Sequence, residues 1–214
     1  MRISKSQVLL SLSGFVITAR TLFLISNYRT HPQNILLKQG FDFRSLKFDD
    51  GGVDHPKIGD KLYLENFKDL ANLSADKILT EGEEQLILLV IINPRCKACN
   101  ISGDLFRNIR DSATQLGIAY HPVSFVPINT GVDLKAYAER FGFRNFFRWN
   151  RDMDIPEQLT RVVTPTHILI NKNGTVLHVW PGTASEPEVR KIMSEQISSD
   201  LGLISETVAA ANLP

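Results

Sequence analysis

The stretch QLILLVIINPRCKAC, residues 85–99, decides the fold class of this chain. It begins with a continuous apolar and β-branched run, Gln85–Ile92, which is typical of a strand buried on both faces of an α/β sheet. Both cysteines of the chain, Cys96 and Cys99, follow after a short turn, and a helical pattern comes next. We therefore predict an α/β domain in which a CxxC motif lies between a buried strand and a helix.

The chain alternates between helical and strand patterns after this motif, which extends the α/β prediction. One helix shows apolar residues at the 3.6-residue period from Leu105 and ends at Gly117. A second carries Leu134, Tyr137, Ala138 and Phe141 on one face, with Thr130 as its predicted N-cap. The last helix opens at Ser185-Glu186-Pro187-Glu188, which has the spacing of a capping box. Its predicted buried face is Val189, Ile192, Met193 and Ile197.

The remaining strand patterns complete the predicted order β-α-β-α-β-β-α. Ile118–Ile128 is a strand candidate in which Pro122 indicates an edge or a bulge, because proline cannot donate to the ladder. Thr166–Ile170 and Thr175–Trp180 are joined by the hairpin signal Asn173-Gly174. This order predicts a central mixed sheet flanked by helices on both faces.

Composition excludes several classes of protein. The chain has 214 residues, with 24 Lys plus Arg against 23 Asp plus Glu, so its net charge of +1 lacks the basic excess of a nucleic-acid binder. Two cysteines exclude a disulfide-stapled scaffold and fall short of a closed four-ligand zinc site. The five histidines show no ligand spacing, and His167 and His178 are interpreted as structural. We predict neither a metal site, nor a cofactor, nor a nucleic-acid partner.

The N-terminal segment predicts a membrane anchor. Arg2 and Lys5 precede an apolar stretch, residues 8–25, which is close to the length of a bilayer-spanning helix. Arg20 interrupts the stretch, and its charged side chain would have to extend to the outer membrane–water interface. The basic N-terminus would stay inside, which places the rest of the chain on the extracytoplasmic side. A cleaved signal peptide is an alternative, although no clear small-x-small cleavage site follows; an amphipathic or buried soluble helix is another.

The position of the two cysteines favours thiol chemistry. A helix start offers unpaired N–H groups that favour a thiolate, and Arg95 and Lys97 add positive charge nearby. The thiolate is the attacking species in disulfide exchange. Two alternatives remain open at this point: cysteines that only pack or form an inert bridge, and a metal site.

Four stretches together resemble the thioredoxin superfamily, and within it the membrane-anchored TlpA/ResA-type oxidoreductases of the redoxin group. They are the entry Lys57-Ile58-Gly59-Asp60 with Leu62, Leu64 and Phe67; the strand with CxxC, LILLVIINPRCKAC; the loop Val163-Thr164-Pro165-Thr166; and the strand–hairpin–strand HILINKNGTV, residues 167–176. The resemblance covers about two-thirds of the chain. It divides the chain into a signal anchor or signal peptide (residues 1–26), a linker (27–56), a thioredoxin-like domain (57–200) and a C-terminal tail (201–214).

The resemblance implies a role for each residue of the site. Cys96 would attack the disulfide of a protein partner, and Cys99 would resolve the mixed disulfide. Pro165 would be a cis-proline facing the cysteines, and the Thr164 backbone would pair with the substrate chain. With Arg95 beside the motif, Arg95, Thr164 and Pro165 are the candidate substrate-binding residues. An upstream electron donor or acceptor would complete the cycle.

The sequence departs from the thioredoxin pattern at three places. Arg95 replaces the tryptophan before the first cysteine, and Lys97-Ala98 replaces the usual Gly-Pro. The buried acid that serves the second cysteine would fall at Val90, and no carboxylate lies between Gln85 and Cys99. The acidic residues Asp152, Asp154 and Glu157 in the loop before Pro165 are candidate substitutes, although a solvated acidic loop is the simpler interpretation.

These observations favour an extracytoplasmic thiol–disulfide oxidoreductase that works as a reductase. A thiol peroxidase is an alternative, but such enzymes need Thr or Ser three residues before the reactive cysteine, where this chain has Asn93. A redox sensor or a copper metallochaperone using the same CxxC is another. The aromatic and basic stretch RFGFRNFFRWNR, residues 140–151, is interpreted either as a satellite core with arginine stems over it or as a partner contact.

Overall fold

The computed structural model describes residues 55–63, 65, 67–69, 84–124, 133–149, 159 and 162–211. All of these residues fall within one compact unit, Lys47–Pro214. The predicted anchor (residues 8–25), nearly all of the predicted linker and the acidic residues at 152–157 lie outside the described residues. In the part of the chain that is described, no helix combines the length and the apolar character needed to cross a bilayer.

A six-stranded mixed sheet forms the centre of the domain, in the order β1-β4-β3-β2-β5-β6. β3 runs parallel to both β2 and β4, whereas β1–β4, β2–β5 and β5–β6 are antiparallel pairs. The strands are β1 (Phe67–Asp69), β2 (Leu86–Ile92), β3 (Ala119–Ser124), β4 (Phe147–Trp149), β5 (Thr166–Asn171) and β6 (Val176–Pro181). The predicted mixed sheet is confirmed, and the structure adds β1 and β4 to it.

Four helices are described, and the first two follow the CxxC turn directly. They are α1 (Lys97–Ile101), α2 (Gly103–Gln115), α3 (Leu134–Phe141) and α4 (Pro187–Ala211). α1 and α2 are separated at Ser102, whose buried hydroxyl donates to the Ala98 carbonyl at 2.7 Å. The break lets α1 hold the cysteines in a short turn of its own, while α2 packs along the sheet through Leu105, Phe106, Ile109 and Ala113.

β2 is buried along its whole length, as the apolar run predicts. Alternate side chains point to opposite faces of the sheet, and they enter two different clusters. Ile87, Leu89 and Ile91 belong to one. Val90 and Ile92 belong to the other, which also contains Cys99. Burying a side chain of this size contributes about 1.5–3 kcal/mol to the free energy of unfolding. β2 therefore holds the CxxC motif at its carboxyl end in a fixed position.

The structure corrects two local predictions, one in β3 and one at the start of α3. β3 is an interior strand, so Pro122 does not mark a sheet edge; β4 pairs with β3 only at Val123 and Ser124, just after the proline. α3 begins at Leu134 with Asp133 as its N-cap, because the Asp133 carboxylate accepts from the Ala136 N–H at 2.9 Å. Thr130, the predicted cap, lies outside the described residues.

The C-terminal helix also differs from its prediction. The Ser185 hydroxyl bonds to the Glu186 carboxylate at 2.7 Å, and α4 begins at Pro187. The tail predicted for residues 201–214 is helical as far as Ala211. Leu201 is fully buried, so the apolar face of α4 continues past the predicted boundary at residue 200.

Candidate active site

The turn between β2 and α1 holds Cys96 in place through its backbone. The Cys96 N–H donates to the Asn93 carbonyl at 2.8 Å, and Cys96 is the N-cap of α1. The Asn100 side-chain amide donates to the carbonyls of Pro94 at 2.8 Å and of Cys96 at 3.0 Å. Asn93 before the turn and Asn100 in α1 therefore both stabilise its conformation by hydrogen bonds. Neither residue was predicted from the sequence, because an asparagine in a turn or an amphipathic helix carries no distinctive signal.

Cys99 is the buried member of the pair. It is fully buried, and its sulfur accepts a hydrogen bond from the Asn93 N–H at 3.4 Å. Burial raises the pKa of the Cys99 thiol to about 12, and a negative charge on Cys96 acts in the same direction. Cys99 is therefore a thiol, not a thiolate, at neutral pH.

Cys96 has the opposite character. It is half-buried. Its partial burial alone would raise the thiol pKa, but hydrogen bonds from the Thr164 side chain, from the backbone of Cys99 and Ala98, and from the Cys99 thiol outweigh that effect. Together they hold the pKa of Cys96 below its ordinary value. The two cysteines are free thiols in hydrogen-bonding contact, and Cys96 is the more acidic of the two.

The loop before β5 closes the site on the other side. The Cys96 thiol lies 3.4 Å from the Thr164 carbonyl oxygen. The Thr164–Pro165 peptide bond is cis, as the resemblance implies. The Thr166 hydroxyl donates to the Val163 carbonyl at 2.7 Å, and the Pro165 carbonyl accepts from the Gly182 N–H at 2.7 Å. The Cys96–Thr164 contact joins the loop to the cysteine turn, whereas the other two hydrogen bonds fix the shape of the loop and attach it to Gly182 after β6.

Arg95 lies at the exposed edge of the same site. Its backbone N–H donates to the Asn93 side-chain oxygen at 2.9 Å, and its side chain is exposed. The structure thus brings together Cys96, Cys99 and Thr164, with Pro165 next to Thr164 and Arg95 next to Cys96. The roles assigned to these five residues remain predictions.

A buried histidine lies beside the position where the resemblance expects an acid. His167 on β5 is directly opposite Val90 on β2, so the two side chains share one face of the sheet. His167 is fully buried between the rings of Phe106 and Tyr120, and neither of its nitrogens has a hydrogen-bond partner among the described residues. Burial lowers the pKa of His167 to about 3. The imidazole is therefore neutral and supplies no negative charge near Cys99.

No group of three or more His, Cys, Asp or Glu side chains that would hold a metal ion occurs among the described residues. Copper(I) is bound by thiolates, and metal binding displaces the thiol proton. The part of the chain that is described offers only this pair of cysteine sulfurs.

Comparison with solved structures identifies the fold. The chain is similar to a domain of a "possible thiol-disulfide isomerase" from Cytophaga hutchinsonii, with a TM-score of 0.52 and 12% identity over 73% of this chain and 98% of that one. It is also similar to a thiol:disulfide interchange protein from Bacteroides sp., with a TM-score of 0.50 and 14% identity over 68% of this chain and 91% of that one. A candidate DsbE from Chlorobium tepidum gives a TM-score of 0.50 and 18% identity over 68% and 98%.

The fold is thioredoxin-like. The predicted fold class is thereby confirmed for the described domain. No protein-family model matches the chain, and no curated protein matches it.

The first prediction concerns the unequal thiols. Iodoacetamide should modify Cys96 of the reduced native protein first, because the thiolate is the reactive form and the pKa of Cys96 lies below its ordinary value. The rate should rise with pH and level off once the pH passes the pKa of Cys96. Cys99 should stay unmodified up to at least about pH 9, since its pKa is about 12. Mass spectrometry of peptides from samples quenched at intervals measures both rates.

Labelling in urea is the control for this experiment. Both thiols should then react at similar rates, because unfolding removes the burial and the hydrogen bonds that distinguish them. Equal labelling of Cys96 and Cys99 in the native protein would contradict the assignment of the attacking thiol.

Proposed function

We propose that this chain is an extracytoplasmic thiol–disulfide oxidoreductase that reduces a disulfide in a protein partner. One observation carries the proposal: two thiols in hydrogen-bonding contact differ strongly in burial and acidity. The half-buried, more acidic Cys96 is suited to attack the partner disulfide. The buried Cys99 stays protonated until the mixed disulfide has formed and is suited to resolve it. Two cysteines that only pack in the core would not need to differ in burial and acidity in this way.

The exchange proceeds in two steps that balance. The Cys96 thiolate attacks one sulfur of the partner disulfide; that S–S bond breaks, a partner thiolate leaves and takes a proton, and a mixed disulfide forms. Cys99 then loses its proton and attacks the Cys96 sulfur. The second partner thiolate leaves, and a Cys96–Cys99 disulfide forms. The partner gains two electrons and the pair loses two, which an upstream dithiol donor must restore.

Thr164 supports the first step in two ways. Its side chain stabilises the Cys96 thiolate through a hydrogen bond. Its carbonyl oxygen lies 3.4 Å from the sulfur, so a peptide paired with this backbone would have its disulfide at Cys96. Pro165 and Arg95 border the same opening and are the further candidates for contact with the substrate chain.

The proposed location rests on the N-terminal sequence. Arg2 and Lys5 before the apolar residues 8–25 favour an anchor with the domain outside. Protease added to intact spheroplasts should digest the domain, whereas a cytosolic control protein should survive. Protection of the domain, together with its recovery in the soluble cytosolic fraction, would reject the location but would leave the proposed chemistry intact.

The resolving step gives a prediction with a matched pair of variants. Cys99→Ser should accumulate a mixed disulfide between Cys96 and a partner, because release needs a second thiolate and the chain has no third cysteine. Cys96→Ser should accumulate none. Non-reducing gels, followed by the same samples under reduction, measure the adduct. Accumulation in Cys96→Ser with none in Cys99→Ser would reverse the assigned roles.

Electron flow is tested by the reduction potential of the Cys96–Cys99 pair, measured by equilibration with glutathione buffers. A reductase should have a potential below about −220 mV, toward that of thioredoxin, whereas a value near about −120 mV is that of a strong oxidant. In a strong oxidant, the pKa of the attacking cysteine is also greatly lowered, because the protein stabilises its thiolate over its thiol. A potential in the range of a strong oxidant would retain the exchange chemistry but reverse its direction.

A further inference from the structure

We propose that the partner segment reduced by this protein carries acidic side chains beside its disulfide. The inference rests on the proposed function and adds the substrate class. Its basis is a basic rim, which consists of the exposed side chains of Lys97 and Arg140 on the side of the site formed by α1 and α3.

Both residues of the basic rim are positioned by the elements that hold Cys96. Lys97 follows Cys96 directly and is the first residue of α1. Arg140 lies at the end of α3, and its guanidinium is 3.5 Å from the Asn100 side-chain oxygen. The amide of the same Asn100 donates to the Cys96 carbonyl at 3.0 Å. One side chain therefore separates the Arg140 charge from the backbone of the attacking cysteine.

The described surroundings offer little negative charge to offset the basic rim. No acidic residue occurs between residues 85 and 103. The next acid, Asp104, accepts two hydrogen bonds from Arg190 at 2.9 and 3.2 Å, so its charge is already paired. Glu139 precedes Arg140 on α3, and consecutive helical residues point about 100° apart. Among the described residues, Lys97 and Arg140 are thus the exposed charges that a chain docking at Cys96 over α1 would meet.

Exposed cations beside the reacting atom select a partner by its charge. Opposite charges increase the rate of productive encounter, and like charges reduce it. The effect acts over about 10 Å at about 0.1 M salt, which covers the residues immediately next to a partner cysteine. Acidic residues in those positions would face Lys97 and Arg140 while the partner sulfur approaches Cys96.

Three synthetic peptides test this inference directly. They share one sequence with a single disulfide and differ only in whether Glu, Gln or Lys flanks each cysteine. The rate at which each oxidises the reduced full-length protein is measured by acid quenching and thiol alkylation. At an ionic strength of about 20 mM, the Glu peptide should react about tenfold faster than the Lys peptide, with the Gln peptide between them. At about 0.5 M salt the three rates should converge.

Charge-reversal variants show whether the basic rim is the cause. Lys97→Glu and Arg140→Glu should each lower the ratio of the Glu to the Lys peptide rate by about threefold or more, and the double variant should bring the ratio below one. Because each ratio is taken within one variant, a general loss of activity cancels. Lys61→Glu is the matched control. Lys61 is exposed and pairs with Thr175 beyond the end of β5, at the opposite end of the sheet from Thr164, so it should keep the wild-type ratio.

The uncharged small disulfide hydroxyethyl disulfide separates this inference from the proposed function. If the protein reduces it but treats the three peptides equally, or prefers the Lys peptide, the acidic-partner inference is overturned and the proposed function stands. The inference is also overturned if Lys61→Glu lowers the ratio as much as the rim variants do. If the protein exchanges with neither hydroxyethyl disulfide nor any peptide, the proposed function itself fails.

Discussion

The contact between Cys96 and Thr164 is the constraint on which the rest of the site depends. The two residues are 68 positions apart, yet the Cys96 sulfur lies 3.4 Å from the Thr164 carbonyl oxygen. β2 and β5 produce this contact, because they are antiparallel neighbours whose register ends at Ile91 and Thr166. The carboxyl end of β2 and the amino end of β5 therefore lie next to each other at the same end of the sheet. Since β2 is buried along its length, the packing of the core, and not the loops, holds these two strand ends in place.

Burial and local hydrogen bonding then make the two thiols different, although they are only three residues apart. Cys96 faces the Thr164 side chain and the backbone of α1, which favour its thiolate, whereas Cys99 lies inside an apolar cluster that penalises charge. Asn93 serves both: its carbonyl accepts from the Cys96 backbone, and its N–H donates to the Cys99 sulfur. The turn thus fixes the spacing and the exposure of the pair, and together with Thr164 it sets their acidity.

The sequence predicted the parts of this arrangement that depend on local signals. The apolar run of β2, the CxxC motif after it and the Asn173-Gly174 turn each carry a short-range pattern with a physical cause. β1 and β4 were missed because each has only three residues, and their pairing partners are separated by about 80 positions. Phe146, Phe147 and Trp149 of the aromatic stretch are buried. Phe147 and Trp149 belong to the same cluster as Ile87 and Leu89 of β2, so they complete the main core and do not form a separate satellite core. The contacts of Asn93 and Asn100 depend on the finished turn, so no sequence pattern indicated them.

His167 adds a consequence for the resolving step. A buried carboxylate near Cys99 would accept its proton, but the side chain of Val90 is apolar and its neighbour across the strands is a neutral imidazole. Both imidazole nitrogens lack a hydrogen-bond partner among the described residues, and a buried polar group without a partner costs about 1–3 kcal/mol. Burial raises the pKa of the Cys99 thiol, and this opposes its deprotonation in the mixed disulfide as well as in the reduced pair. No negative group among the described residues of its cluster accepts the proton. A mixed disulfide that resolves slowly stays bound for longer, and contacts outside the cysteines then have time to discriminate between partners. Charge at Lys97 and Arg140 is such a contact, because it acts on the partner chain, and the Lys97 charge next to Cys96 in addition favours the Cys96 thiolate.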